Sequence, residues 1–339
     1  MPDRINRQIF LQARPVGPIR ETDFGYRESP VPPLQDGQIL LRNIYLSLDP
    51  AMRGWMGEKG SYREPINLGD TMHGGTIAEI IESKNPDFPV GQRVIGMQRW
   101  EDFSIAGPKG MPNLIPPGFP IPLVAFLSTL GATGLTAYFG LLEIGKPKEG
   151  ETVVVSTAAG AVGSVVGQIA KIKGCRTVGL TGSDEKCKYI VEHLGYDVAI
   201  NYKTQNVAKA LREACPNGID VYFDNVGGEI LNTVLGQLAL NARIAICGAI
   251  SQYNNTEATP GPSNYINLLI KRSRMEGFLV LDYFPRYMEG VMQLAQWMME
   301  EKLTHKEHIV EGLEKAPTYI NYLFEGKNDG KLVVKIADE

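Results

Sequence analysis

Cysteine and histidine are scarce, with four of each among 339 residues. Cys175, Cys187, Cys215 and Cys247 form no C-x-x-C pair, which argues against a disulfide framework and against a cysteine-rich zinc lobe. His73, His193, His305 and His308 are thin material for a metal site. No apolar run approaches the roughly 20 residues that span a bilayer. A net charge of −4 offers no attraction to nucleic acid or to an anionic membrane, so neither is expected as a partner. The opening residues, MPDRINRQIFLQARP, lack the apolar core of a signal peptide, and the cytoplasm is the expected compartment.

Apolar residues are plentiful at 43%, enough for sizeable cores, and the length suggests about two domains. Residues 1–125 read as β-rich: strand-like runs at 37–49, 74–83 and 91–105 are separated by clusters of Pro, Gly, Asn and Asp. Prolines crowd 108–122, which reads as a surface crossover. Helical periodicity appears at 127–145. Strands are then expected at 152–156, 176–181, 197–201, 219–223, 242–247 and 274–281, with helices at 161–173, 184–194, 204–214 and 227–239. This alternation predicts an α/β fold with a doubly wound parallel sheet. A further helix is expected at 285–302, with Met288, Val291, Ala295 and Met298 on one face. The terminal strand, 331–336, is too short a piece to form a domain and is expected to return to the N-terminal β domain.

The stretch VVVSTAAGAVGSVVGQIAKIKGC (153–175) reads as a buried strand, a tight turn and a helix. In a dinucleotide-binding turn, glycines serve the sharp bend, the approach to the pyrophosphate and the helix–strand packing. Ala158 takes the first place, Gly160 the second and Gly163 the third; Gly167 adds a close-packing position. Backbone N–H groups at the helix start can still face a phosphate. The next strand ends in Thr181-Gly182-Ser183, without the terminal acid that commonly binds a ribose 2′-hydroxyl in NAD sites. Ser183 reads as an N-cap, which puts Asp184 and Glu185 in the first helical turn, where the helix dipole alone explains them. Lys186 reaches the same corner. Small polar residues with a lysine suit the 2′-phosphate of NADP(H); a solvated helix lysine is the plainer reading.

Several loops match one family together: LSLDPAMRGWM (46–56), GATGLTAYFGL (131–141), AAGAVGS (158–164), TGSDEK (181–186), FDNVGGE (223–229), RIAICGAISQYN (243–254), RMEGFLV (274–280) and GKNDGKLVV (326–334). The sequence resembles the zinc-independent branch of the medium-chain dehydrogenase/reductases: prostaglandin reductases, leukotriene 12-hydroxydehydrogenases, plant double-bond reductases and curcumin-reductase-like enzymes. The resemblance implies a GroES-like catalytic domain (1–126, completed by 304–339) with a Rossmann domain (127–303) inserted. It also implies NADPH-dependent reduction of α,β-unsaturated ketones or aldehydes, usually in a homodimer. Carried onto this sequence, it places Gly160, Ala161, Val162 and Gly163 at the pyrophosphate, and Lys186 and Tyr202 beside the 2′-phosphate and ribose. Asn225 would lie at a strand's carboxyl end. Cys247, Gly248, Ala249, Ile250, Ser251 and Tyr253 would border ribose and nicotinamide. Phe278, Leu279 and Val280 would run along the nicotinamide, partly through their backbone, and Asn328 would reach the cofactor from the catalytic domain.

Zinc finds little support in the same pattern. Zinc alcohol dehydrogenases of this superfamily carry a histidine–glutamate pair where His73-Gly74 stands here, and cysteines where LSLDP and STLGATG stand. Catalytic zinc needs three protein ligands and an open position. Hydride addition to a conjugated enone needs no metal: charge moves to the carbonyl oxygen, which requires hydrogen-bond donors, and a proton must reach the α carbon. Tyr62 and Tyr265 are the candidate donors, or else amphipathic residues that shape an apolar pocket. Water or a cofactor hydroxyl are the other proton sources. Ala51 stands where related enzymes often carry the tyrosine of DPYMR, which weakens any transfer of substrate preference. Met52, Trp55 and Met56 line the substrate pocket or belong to plain core. Two alternatives share these features: an NADPH:quinone oxidoreductase of the same fold, and a non-catalytic NADP-binding protein.

Overall fold

The computed structural model describes residues 4–58 and 61–339. Its N-terminal elements are β1 (Ile5–Leu11), β2 (Phe24–Pro30), β3 (Ile39–Ser47), α1 (Met52–Trp55), β4 (His73–Ser83), β5 (Arg93–Arg99), β6 (Phe103–Ala106) and β7 (Asn113–Leu114). The central ones are α2 (Ala132–Phe139), β8 (Thr152–Ser156), α3 (Gly163–Ile172), β9 (Arg176–Thr181), α4 (Asp184–Glu192), β10 (Val198–Asn201), α5 (Val207–Ala214), β11 (Ile219–Asp224), α6 (Gly228–Leu235) and β12 (Leu238–Ile246). Then come α7 (Ile266–Lys271), β13 (Arg274–Gly277), α8 (Tyr287–Met299), β14 (Glu307–Glu311), α9 (Ala316–Tyr319), α10 (Tyr322–Glu325) and β15 (Lys331–Lys335).

Contacts gather into two compact units. The first holds residues up to Leu127 with Glu307–Asn328 and Leu332–Glu339; the second holds Ser128–Lys306 and Asp329–Lys331. In the first, β1 and β2 form an antiparallel hairpin, and a seven-stranded sheet runs β14-β15-β3-β4-β5-β7, with β6 also on β3. The terminal strand does return to this unit: β15 pairs antiparallel with β3 through Val333↔Ser47 and Val334↔Leu46. Leu332, Val333 and Val334 are fully buried. Each such side chain contributes about 1.5–3 kcal/mol on burial, which offsets much of the backbone ordering cost of about 1–2 kcal/mol per residue.

The second unit is a six-stranded parallel sheet in the order β10-β9-β8-β11-β12-β13. Counted from β8, this is the 3-2-1-4-5-6 order of doubly wound dinucleotide-binding folds. Val153, Val154 and Val155 of β8 have no exposed surface, as a strand covered on both faces requires. The chain winds away from the β8–β11 junction in opposite directions, so a crevice opens there at the carboxyl ends, Ser156 and Asp224.

Some elements depart from expectation. The strand expected at 274–281 stops at Gly277 and gives way to a 3₁₀ segment over Val280–Arg286 that contains Pro285. β12 begins earlier than expected, at Leu238, and the preceding helix is correspondingly shorter. A register shift there places the left-handed Asn241 between Leu238, opposite Ile219, and Arg243, opposite Val221. The helix expected over 127–145 is broken. Gly134 lies so close to Thr129 that a Cβ would stand 1.7 Å from the Thr129 carbonyl oxygen; α2 starts only at Ala132 and widens into a π turn over Gly140–Gly145. The inward face of α8 is rotated from the expected one but shares Ala295 with it, and Val291 and Met298 stay half-buried. Gly290, Leu294, Ala295 and Trp297 are buried, whereas Met288 is 65% exposed. Gly290 decides this, because a Cβ there would lie 2.5 Å from Leu135 Cδ2, so the glycine face is the one that meets α2.

Gly167 of α3 shows how tightly helix and sheet approach. A Cβ at this position would lie 2.0 Å from Tyr196 Cζ, and the Tyr196 hydroxyl donates to the Gly163 carbonyl at 2.7 Å. Tyr196 is fully buried and cannot withdraw to solvent. Gly167→Ala is therefore expected to destabilise the fold by about 1–3 kcal/mol, measured as a lowered denaturant midpoint at unchanged slope. An unaltered midpoint would mean that the Tyr196 ring has room to move.

Candidate functional site

The crevice begins at the turn after β8. Thr157 adopts φ 53°, so the left-handed bend falls on a threonine rather than on Ala158. Such a conformation costs a β-branched residue about 1–2 kcal/mol. Ala158, expected in the first glycine position, is fully buried, and its Cβ would lie 2.7 Å from a Cβ at Gly179 of β9. Gly163 begins α3, and a Cβ there would stand 2.3 Å from the Thr157 carbonyl oxygen. The third glycine is thus demanded by the closeness of helix and strand. At Gly160 a Cβ would press on the Thr157 side chain at 2.8 Å. Gly160, Ala161 and Val162 are only half-buried, which leaves this turn partly open to solvent.

The corner after β9 is built as its sequence suggests. The Ser183 side chain caps α4 by accepting from the Lys186 N–H at 3.2 Å. Asp184 accepts from Asn201 Nδ2 at 2.7 Å, so its carboxylate ties α4 to the end of β10. Tyr202 follows β10 and lies against Gly182, where a Cβ would meet its hydroxyl at 2.8 Å. Lys186 is half-buried. Burial lowers its pKa; Asp329 pushes it up, and the positive fields of Lys203 and Lys306 push it down further. Lys306 also stacks its ammonium 4.3 Å from the Tyr189 ring centre and pairs with Asp329 at 2.5 Å.

Lys203, Lys306 and Asp329 were not foreseen. Lys203 adjoins Tyr202 in INYKT, a signal that was available. Lys306 and Asp329 arrive from distant parts of the chain and carry no local signal. Three lysines around the Asp329 carboxylate leave the corner with an excess of positive charge, so the donor set fits a phosphate group.

At the end of β11, Asn225 is pinned by its backbone N–H to Ser156 Oγ at 2.8 Å and by Nδ2 to the Ser156 carbonyl at 2.7 Å. Cys247 and Gly248 donate their N–H groups to the Asp224 carbonyl at 2.9 and 3.1 Å. Ile250 N–H reaches Asn225 O, and Ser251 Oγ donates to Val226 O at 2.6 Å. The Tyr253 hydroxyl accepts from Ala249 N–H at 3.2 Å. Burial pushes the Cys247 thiol up to about 12, with Asp224 adding to the shift. A thiol so held stays neutral at physiological pH and is no nucleophile.

The Phe278 ring lies over Gly140, where a Cβ would meet Cζ at 2.2 Å, and edges against Phe223 at 6.1 Å between centres. Its side chain is therefore packing; Leu279 and Val280 beside it are half-buried. Tyr265 precedes α7 and is 64% exposed.

In the first unit, Tyr62 is 43% exposed in an irregular loop, and Asn328 is half-buried after α10. Met52, Trp55 and Met56, read as pocket lining or plain core, are buried among Ile9, Leu46, Trp100 and Leu332. Side chains enclosed in this way match the second of the two readings, plain core. His73 opens β4 opposite Arg99. Burial lowers its pKa, and Arg99 and Arg63 lower it further. Among the described residues, no three His, Cys, Asp or Glu side chains gather as a metal site would require.

Lys186 yields a pH prediction. Its pKa is depressed in the free protein, and a bound 2′-phosphate would raise it. NADPH affinity is therefore expected to fall as pH rises through the lowered pKa of Lys186, earlier than an ordinary lysine would dictate, while NADH affinity stays level. Lys186→Ala is expected to raise the NADPH dissociation constant about tenfold or more and to leave NADH nearly unchanged, by fluorescence titration. Equal weakening of both would remove Lys186 from the 2′-phosphate.

Residues 7–114 match the family described as the N-terminal domain of oxidoreductase, and residues 161–297 match the zinc-binding dehydrogenase family. The chain is 43% identical to the NADPH-dependent curcumin reductase of Escherichia coli, over 98% of each chain. It is 41% identical to the 2-alkenal reductase (NADP(+)-dependent) of Nicotiana tabacum, again over 98% of each. The crystal structure of CurA from Vibrio vulnificus in complex with NADPH superposes with a TM-score of 0.94 at 43% identity, covering 98% of this chain and 100% of that one. Identity of this extent, spanning both units and the glycine turn, Lys186 corner and strand-end loops described above, means that the chain belongs to the zinc-independent double-bond reductases of the medium-chain dehydrogenase/reductase family.

Proposed function

We propose that this protein reduces the carbon–carbon double bond of α,β-unsaturated ketones and aldehydes with NADPH. The observation that carries the cofactor choice is the Lys186 corner: a half-buried lysine among further cations, at a strand end without a ribose-binding acid. The acceptor class rests on the kinship with alkenal and curcumin reductases. Bound NADPH would supply the hydride for the β carbon.

The chain's own residues would do the rest. The backbone of Gly160–Gly163 would hold the pyrophosphate, Lys186 and Tyr202 the 2′-phosphate and ribose, and Asn225, Cys247–Ser251, Tyr253, Phe278–Val280 and Asn328 the remainder. A phenol, Tyr62 or Tyr265, would donate to the carbonyl oxygen as negative charge collects there. Both side chains are well exposed and so accessible to a ligand. A phenol stays protonated near neutrality and can serve as a donor without a metal. The α-carbon proton would come from such a tyrosine or from solvent.

For whichever tyrosine binds the oxygen, replacement by Phe is expected to lower kcat by about 100-fold with a smaller effect on KM. Unaltered enone turnover in both Tyr62→Phe and Tyr265→Phe would remove the phenols from the mechanism. Rapid quinone turnover with no enone reduction by the unmodified protein would assign it to the quinone reductases instead.

The protein also reads as a cytoplasmic homodimer, in keeping with four unpaired thiols. The dimer reading rests on β13. Among the described residues this edge strand pairs only with β12, and all four of its residues are exposed. Leu269, Ile270, Leu281 and Phe284 are also exposed in the flanking segments. An unguarded edge with apolar neighbours is a template for pairing with another copy. Light scattering at micromolar concentration should give the mass of two chains, and Met275→Lys should shift it toward one with the far-ultraviolet dichroism retained. A monomeric unmodified protein would refute this assembly.

A further inference from the structure

Asp224 is a buried acid that the reaction does not call for. It ends β11 at the point where the winding of the sheet reverses, and it is 1% exposed. Its two carboxylate oxygens are used very unequally. Oδ1 accepts from the backbone N–H groups of Val226 and Gly227, each at 2.9 Å, from the Tyr222 hydroxyl at 2.8 Å and from Ser156 Oγ at 3.3 Å. Oδ2 is sealed from solvent and has no hydrogen-bond partner among the described residues. Burial pushes the carboxyl above its ordinary range, and the donors on Oδ1 pull it back.

Leaving a carboxylate oxygen dry and unpaired is costly, so the position must return something that an apolar residue could not. What it returns is a junction. The side chain gathers the turn after β11, where Gly227 takes φ 68°. Its own carbonyl accepts from Cys247 and Gly248, the first residues after β12. Through Ser156 it joins the end of β8, the same residue that pins Asn225 from two sides. Three strand-end loops thus converge on one residue.

We propose that Asp224 is a positioning residue. Its Oδ1 acts as a fixed acceptor that sets the Asn225–Gly227 and Cys247–Ser251 loops against the end of β8, and so orients bound NADPH for hydride transfer. The requirement is for an acceptor at Oδ1 and not for a charge. Asparagine, which keeps an acceptor oxygen of the same reach, should therefore serve in its place, whereas alanine should not. This rests on the NADPH reading above.

The test compares Asp224→Ala and Asp224→Asn with the unmodified enzyme. The readouts are the NADPH dissociation constant, kcat and KM for an enone at saturating NADPH, and the isotope effect with NADPH deuterated at the transferred position. Asp224→Ala is expected to weaken NADPH about tenfold, to lower kcat by about tenfold or more with enone KM nearly unchanged, and to enlarge the isotope effect. Asp224→Asn should stay within about threefold of the unmodified enzyme throughout. If the alanine variant does not fold, Tyr222→Phe, which removes one donor from Oδ1, should shift the same quantities in the same direction by about threefold.

A folded Asp224→Ala with lowered thermal stability but unchanged NADPH affinity, kcat and isotope effect would reduce the residue to a structural role. An Asp224→Asn as impaired as Asp224→Ala would overturn the acceptor argument, and so would a fully active Tyr222→Phe where the alanine variant does not fold. NADPH binding is measured without any enone, so a wrong substrate class would leave the binding comparison standing.

Discussion

The parallel pairing of β8 with β11 is the constraint on which the nucleotide-binding unit depends. Val153, Val154 and Val155 face Val221, Tyr222 and Phe223 in register, all without exposed surface. Both strands are covered on both faces, and a shift by one residue would turn every side chain to the other face, where Tyr222 and Phe223 would meet the wrong neighbours. That register brings Ser156 and Asp224 side by side at the carboxyl edge. The chain leaves the two strands in opposite directions, so their following loops diverge and leave space between them. Glycine turn, Asn225 and the loop after β12 all take their places from that junction.

Electrostatics then divides the labour around the crevice. On one side, cations are brought together against their mutual repulsion, with Lys186 half-buried and Lys203 and Lys306 acting on it. Asp329 offsets part of that charge, and the excess suits a phosphate group. On the other side one acid, Asp224, is buried behind its hydrogen-bond donors, and the groups around it are neutral: a thiol held protonated by burial at Cys247, amide hydrogen bonds around Asn225, and the aromatic packing of Phe278.

Much of this was legible along the chain because it arises from local rules. Strands β8, β9 and β11 announce themselves as apolar runs bounded by small residues. Ser183 reads as a cap because a hydroxyl before two acids satisfies free N–H groups, and the structure shows that bond. Gly163 and Gly167 were readable as packing glycines from their spacing on one helical face. Where expectation failed, a distant partner had intervened. The buried face of α8 was set by the contact of Gly290 with Leu135, more than a hundred residues away. Met52, Trp55 and Met56 follow a family loop that left pocket and core both open, and they face a core assembled from both ends of the chain.

The sequence alone therefore determined the order of strands and helices, the dinucleotide turn and the absence of an acid after β9, since each depends on neighbours within a few residues. It also carried enough family pattern to indicate the reaction class. Only the tertiary structure decided that the left-handed bend falls on Thr157, that Lys306 and Asp329 join Lys186, and that Asp224 binds three loops at once. Those outcomes depend on which strand ends lie together across the sheet, and a one-dimensional pattern holds no distance between them.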